Sequence, residues 1–267
     1  MNVTKRMKSA RISVFIALSF LLTGCGSDHA KSGMVPGLAA GNWTLTANSA
    51  SSGTFYVGGN MSQSKSNIAG TMYVISSSCF DPSQPIAFSG TVKNGAVTLT
   101  SIADSNGQTI SINATIVSAS NMNGTYSIMG GNCANGDTGS LNANIVPTVT
   151  GIWAGPIQGS GGSDVTLSMS ITQATTPSSD GSFALTGNLT YYNSACSVTG
   201  TITNSSIAGP YLLINGLTLE QDGSTGSIEY TSVLLNSPTN PTSMTGTYDV
   251  PDGLCAGDSD APTFTKR

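Results

Sequence analysis

Beyond residue 40 the chain reads almost throughout in period two: Val, Ile, Leu, Met and Tyr alternate with Ser, Thr, Asn and Gly. That alternation places apolar side chains on one face of a half-buried strand. Eight such runs follow one another at 41–48, 53–61, 67–77, 85–93, 95–104, 108–119, 121–128 and 138–146. A second set of eight occupies 151–158, 165–174, 182–193, 197–207, 211–221, 224–236, 242–250 and 261–267. Asn94-Gly95, Ser105-Asn106-Gly107, Asp180-Gly181 and Asp222-Gly223 supply turn chemistry between them. No stretch after the first 25 residues shows helical periodicity, so the fold class is all-β.

The two sets are copies. "GNW" at 41–43 returns as "GIW" at 151–153, and "IAGTMYVISSSC" ending at Cys79 returns as "LTGNLTYYNSAC" ending at Cys196. "NGTYSIMGGNCANGD" at 123–137 returns as "TGTYDVPDGLCAGDSD" at 245–260, each with a cysteine seven residues after the tyrosine and Gly-Asp soon after. The offsets drift between landmarks, which marks a duplicated domain with altered loops and not a short-period solenoid. Module 1 is expected over 41–147 and module 2 over 151–267, with the join near Pro147.

Eight short antiparallel runs can close into an up-and-down barrel with no free edge. The Gly-x-Trp that opens each copy, at Trp43 and Trp153, resembles the calycin group of lipocalins and avidins, where that tryptophan closes one barrel end. The rhythm of Gly-Thr, Cys and Gly-Thr-Tyr is also similar to uncharacterised bacterial lipoproteins. The resemblance implies two tandem calycin-like barrels; a pair of β-sandwiches is the alternative. The avidin pocket draws on tryptophans from several strands, whereas this chain has two, so no biotin contacts carry over.

Four of the five cysteines fall two per copy, and Cys79–Cys133 with Cys196–Cys255 is the simplest of the three connectivities. In a meander the loops after strands three and seven leave at the same end. A bridge needs Cα atoms about 5.5 Å apart, so the loop after strand seven is expected to cross the mouth as a lid hinged at its tyrosine.

The fifth cysteine changes the cellular picture. Lys5, Arg6, Lys8 and Arg11 precede an apolar run from Ile12 to Leu22, then Leu22-Thr23-Gly24-Cys25. This reads as an export signal (1–24), and its end resembles a bacterial lipobox, which implies lipidation of Cys25. Residues 25–40 are small and polar and are expected to act as a flexible tether. Gly26 in place of an aspartate favours the outer membrane.

Charge then removes functions. Of the nine basic residues four lie in the leader, which leaves five against thirteen acidic, a formal charge of −8. No basic stripe exists to meet phosphates, so nucleic acid is not an expected partner. The single histidine, His29, lies in the tether. Acid–base work would rest on scattered aspartates, Glu220 and Glu229, so enzymatic activity and cofactors are not expected.

Three groups of residues still carry possible chemistry. Ser62-Gln63-Ser64-Lys65 has S-x-x-K spacing, but at a strand end and without companion motifs, so it reads as a polar loop. Asp249, Asp252, Asp258 and Asp260 crowd around Cys255 without calcium-loop spacing and read as a solvated acidic lid, with metal binding the weaker alternative. Trp43, Trp153, Tyr126 and Tyr248 are the candidates for a ligand cavity, against the alternative that they fill the core. The expected function is a membrane-anchored, non-enzymatic structural or interaction module of the cell envelope, with an envelope protein or a glycan as the candidate partner. The alternative is a carrier for a small apolar ligand, and the two differ in whether the barrels are filled.

Overall fold

The structure, a computed structural model, describes residues 37–267 except 50–52, 134–135, 159–163 and 238. The export signal, Cys25 and most of the tether lie outside the described residues. The first eight strands are β1 (Gly41–Ser49), β2 (Gly53–Ser64), β3 (Asn67–Ile75), β4 (Ile86–Lys93), β5 (Ala96–Ser101), β6 (Thr109–Ser118), β7 (Asn121–Met129) and β8 (Asp137–Ile145). They pair in sequence order, and β8 pairs back on β1 to close an antiparallel barrel.

The second barrel consists of β9 (Gly151–Gln158), β10 (Asp164–Gln173), β11 (Phe183–Tyr192), β12 (Ser197–Ala208), β13 (Tyr211–Glu220), β14 (Thr225–Leu235), β15 (Ser243–Asp252) and β17 (Thr263–Lys266). β17 pairs with both β15 and β9 and completes the ring. The last alternating run is not continuous: a two-residue β16 (Ser259–Asp260) pairs with β15, and the chain breaks at Ala261-Pro262 before β17. Pro262 has no N–H for the ladder, and its carbonyl instead accepts the hydroxyl of buried Tyr230 at 3.0 Å. The closed rings replace the sandwich alternative.

Burial follows the period. Trp43, Leu45 and Ala47 of β1, Val57 and Met61 of β2 and Leu99, Ile110 and Ile112 of β5 and β6 are fully enclosed in one apolar cluster. Trp153, Met169, Ile214, Val233, Met244 and Phe264 do the same in the second barrel. Asn94-Gly95 turns β4 into β5 with positive φ at both residues, 51° and 81°, as the tight hairpin requires.

The barrels pack against each other within one compact unit. The Asn42 side chain accepts from Gly209 N (2.7 Å) and donates to Gly209 O (2.9 Å) in a buried pair of bonds. Gly181 O accepts from Asn60 N, and Tyr73 Oη donates to Asp180 Oδ2. Gly58 and Gly209 meet backbone to backbone, and a Cβ on Gly58 would stand 2.7 Å from Gly209 Cα.

Candidate functional site

Each barrel has a plugged end and a lidded end. At the plugged end the two tryptophans are fully buried, and their indole N–H groups donate to Ala39 O (3.0 Å) and Val149 O (2.8 Å), four residues upstream. The segment before each barrel is thus part of its plug. Leu38 is buried, and Leu38 N and Val149 N donate to the side chains of Gln63 and Gln173. Residues 38 and 39 were expected in the tether. The structure binds them to the barrel because an apolar leucine and an indole donor both need partners there.

The lidded end carries the bridges. Cys79 and Cys133 are joined across loops β3–β4 and β7–β8, and Cys196 and Cys255 across loops β11–β12 and β15–β16, with Cα separations of 5.6 and 5.9 Å. A short 3-10 turn, Gly131–Cys133, carries the first lid cysteine.

In the first barrel the lid closes over apolar groups and over Gln108, which is fully buried beside Gly131. Phe80, next to Cys79, is buried, and Phe55 packs edge-on against Tyr126 at 5.0 Å. Asp137, at the start of β8, is buried and accepts Tyr126 Oη at 3.0 Å and Ser49 Oγ at 2.7 Å, one on each carboxylate oxygen. Burial above all, with Asp137's charge and acceptance of its proton, pushes the Tyr126 phenol up to about 12, while Ser49 works in the opposite direction.

The repeated Gly-Thr-Tyr, Cys, Gly-Asp pattern is explained by this contact. Tyr126 pairs with Gly139, two residues past Asp137, and Tyr248 pairs with Asp260, two past Asp258. Asp258 is therefore the counterpart of Asp137, and its charge raises the Tyr248 phenol. The sequence reading grouped Asp258 with a solvated acidic lid; the register gives it a partner tyrosine.

The second mouth is otherwise different. A cavity of about 30 Å³ lies under the bridge, lined by Tyr191, Tyr248, Ser197, Val165, Val250 and Asp258 among others. Glu220, the last residue of β13, is 3 % exposed; its Oε1 accepts Ser197 Oγ at 3.1 Å and the Thr218 hydroxyl, and its Oε2 has no partner. Tyr191 Oη is close enough to Tyr248 for each phenol to affect the other's ionisation, and it is buried with no partner in good hydrogen-bond geometry. Burial first, then Tyr248 and the Glu220 charge, drive the Tyr191 phenol far up. Tyr248 rises to about 12, chiefly through burial, with Asp258 and Glu220 adding and Tyr191 opposing.

The remaining candidates are dispersed. Trp43, Trp153 and Tyr126 sit in the cores, and of the four aromatic candidates Tyr248 is the one that lines this cavity. Asp260 caps Gln158 N and Ala261 N, Asp252 caps Gly253 N, and Asp249 lies on β15 between Glu229 and Ser259. Among the described residues no three acidic, histidine or cysteine side chains converge on a metal position. Ser62 lies within β2, while Lys65 forms the β2–β3 turn with φ 56°. Glu220 is the group that sequence reasoning mentioned without placing.

No family model matches the chain, and no curated protein or solved structure resembles it significantly.

Proposed function

We propose that this chain is a lipid-anchored protein of the bacterial cell envelope, held at the outer membrane through Cys25, whose paired barrels serve as a rigid, non-enzymatic structural or interaction module. The observation that carries this reading is the filled interior of both barrels. A hollow able to take a ligand would leave surface on the side chains around it, yet Leu45, Val57, Met61, Met72, Leu99, Ile110 and Ile112 in one barrel and Ile207, Ile214 and Val233 in the other have none. The cavity at the second mouth, about 30 Å³, is an order of magnitude below the roughly 300 Å³ at which ligand pockets begin, and the wider spaces of about 450 and 250 Å³ are open grooves, the larger lined mostly by exposed residues such as Leu217 and Leu219. The tryptophan plug supports kinship in architecture with calycin barrels without their cargo space. The basic leader ending in Leu-Thr-Gly-Cys supports export and lipidation, and the excess of acidic residues directs the partner search to proteins and neutral glycans.

Native mass spectrometry of the exported chain tests both halves. The expected mass is the chain from Cys25 with acyl groups and four hydrogens fewer, and Cys25→Ser should lose the acyl mass. A discrete small molecule that leaves on unfolding would sink the module reading in favour of the carrier.

A further inference from the structure

The first barrel serves as an internal control for the outer wall of the second. Gly90 pairs with Leu99 and Gly200 with Thr218, so Thr98 matches Leu217 and Thr100 matches Leu219. Ile75 and Tyr192 match as well, each four residues before its lid cysteine. Two exposed threonines and a partly buried isoleucine of the first barrel thus stand where the second has two leucines and a tyrosine, each about half exposed. All three lie outside the core, so packing within the barrel does not account for them.

The two leucines form one side of the open groove of about 450 Å³ that crosses β11, β12 and β13, a size within the range of ligand sites. Register sets two rows across it: Thr190, Thr199 and Leu219 in one, Asn188, Thr201 and Leu217 in the other. β12 slips against β13 on either side of this stretch, after Ser197 and after Thr203, and such bulges bend the wall. Tyr192 follows two residues beyond Thr190 on the same face of β11. No charged side chain lines the groove, although the chain has thirteen acidic residues. Among the described residues, the side chains of Asn188, Thr190, Thr199 and Thr201 have no hydrogen-bond partner within the chain.

That lining selects its occupant. A lipid tail or an apolar protein face would strip water from these hydroxyl and amide groups without replacing it. An anion would meet no base there, and a cation no carboxylate. The contact between the barrels is not repeated on this copy either: Asn42 and Gly58, which receive Gly209, correspond to Ile152 and Ser168. A sugar ring supplies hydroxyls for the threonines and asparagine and a C–H face for the leucines and the tyrosine. Adjacent strands stand about 4.8 Å apart, which brings both kinds of side chain within reach of one ring.

We infer that this groove is a binding site for a neutral glycan chain, with Leu217, Leu219 and Tyr192 against the apolar faces of the sugars and Asn188, Thr190, Thr199 and Thr201 bonded to their hydroxyls. The site rests on the reading of the chain as an interaction module and gives that module a surface and a ligand class. It lies on the outside of the wall, so the filled interior is unaffected.

The test is retention of the acylated chain, held in lipid nanodiscs, on immobilised dextran, mannan and galactan, with dextran sulfate and polygalacturonate as charged counterparts. Saturable binding to a neutral polysaccharide is expected, and weaker binding to the charged ones. Leu217→Thr with Leu219→Thr restores the residues of the first barrel and should weaken binding by at least about tenfold, as should Tyr192→Ala. All three positions are on the surface, so the unfolding midpoint of both variants should stay close to that of the parent. No retention by any neutral polysaccharide, equal retention by the charged ones, or unchanged binding in both variants would overturn the glycan site. A parent that sediments as a dimer and becomes monomeric in the double variant would overturn it too, in favour of a second copy. An envelope protein whose cross-link to the chain is lost in the double variant would do the same, and would leave the interaction module standing. The module reading itself fails on an enclosed small molecule in the native mass measurement, which neither variant would alter.

Discussion

At the lidded end of the first barrel Phe55 stands edge-on to Tyr126 and Phe80 is buried beside Cys79; at the same end of the second, Val165, Ser197, Tyr191 and Tyr248 line one small cavity, and Ser197 donates to buried Glu220. The strand order, the bridge and the tyrosine–aspartate neighbours are shared. What differs is the filling under the lid: Phe55 and Phe80 stand in one where Val165 and Ser197 line a small void in the other. A duplicated barrel can keep its frame in both copies while one mouth is released from packing duty. The plug and the wall are kept in both copies, so chemistry can diverge at the opposite end.

The largest effect should come from making the first mouth like the second. Phe55→Val with Phe80→Ser removes most of two buried rings, and large-to-small changes of this kind cost roughly 5 kcal/mol together, less if the lid settles into the space. Denaturant unfolding should show the first barrel losing cooperativity with the second. A cost near 1 kcal/mol would mean that the rings are not the filling the comparison takes them for.

The bridges come next. The cross-linked segments span 54 and 59 residues, so loop-closure entropy predicts nearly equal losses of about 4 kcal/mol when either is removed. Any inequality then measures packing. Cys79 is buried beside Phe80 while both cysteines of the second bridge are half-exposed. Cys79→Ala with Cys133→Ala should therefore cost more than Cys196→Ala with Cys255→Ala in parallel denaturant titrations. The opposite order would break the assignment of a packed lid to the first barrel and a loose one to the second.

The tyrosine–aspartate contacts differ in depth. Tyr126→Phe leaves a buried carboxylate one donor short and should cost about 1.5–3 kcal/mol, whereas Tyr248→Phe beside the half-exposed Asp258 should cost about 1 kcal/mol or less, because water can reach that carboxylate. Equal costs would show that both aspartates rely on their tyrosines alike.

Much of this frame was legible from alternation alone, because a closed barrel buries one face of every strand and period two reports that face directly. The lid pairing was legible too, since the two copies repeat each cysteine at the same strand ends. The tryptophan end was expected from the Gly-x-Trp resemblance, but its upstream half was not: Ala39 and Val149 act through carbonyls, which no side-chain pattern reports. Glu220 was hidden for another reason. β13 is apolar on both faces, with Leu213, Leu217 and Leu219 exposed by 37 %, 56 % and 47 %, while Thr218 and Glu220 point inward. Hydrophobicity alone would turn that strand over, and its phase is set instead by ladder register, including the slip between Leu212 and Ile214.

The smallest expected effect is an alkaline one, and it separates the mouths without altering their fold. Tyr126 is held at about 12 in the folded chain and near 10 when unfolded. A folded value above the unfolded one means that the neutral phenol stabilises the fold fully below pH 10, and that this contribution is lost as pH rises from 10 to 12. Tyr73, raised to about 12 by burial and by donation to Asp180, loses its contribution in the same window. The inter-barrel contact and the first lid should therefore weaken together above pH 10. Tyr126→Phe should flatten part of that loss, and Tyr73→Phe another part, in stability measured from pH 8 to 12. In the first lid the phenol donates to Asp137, so removing the hydroxyl removes its titration. Tyr248 instead shares its space with Tyr191, Glu220 and Asp258, so Tyr248→Phe should leave a residual alkaline loss from Tyr191. An alkaline loss that is the same in Tyr248→Phe and in the Tyr191→Phe, Tyr248→Phe double variant would mean that the second mouth titrates through a single phenol, as the first one does.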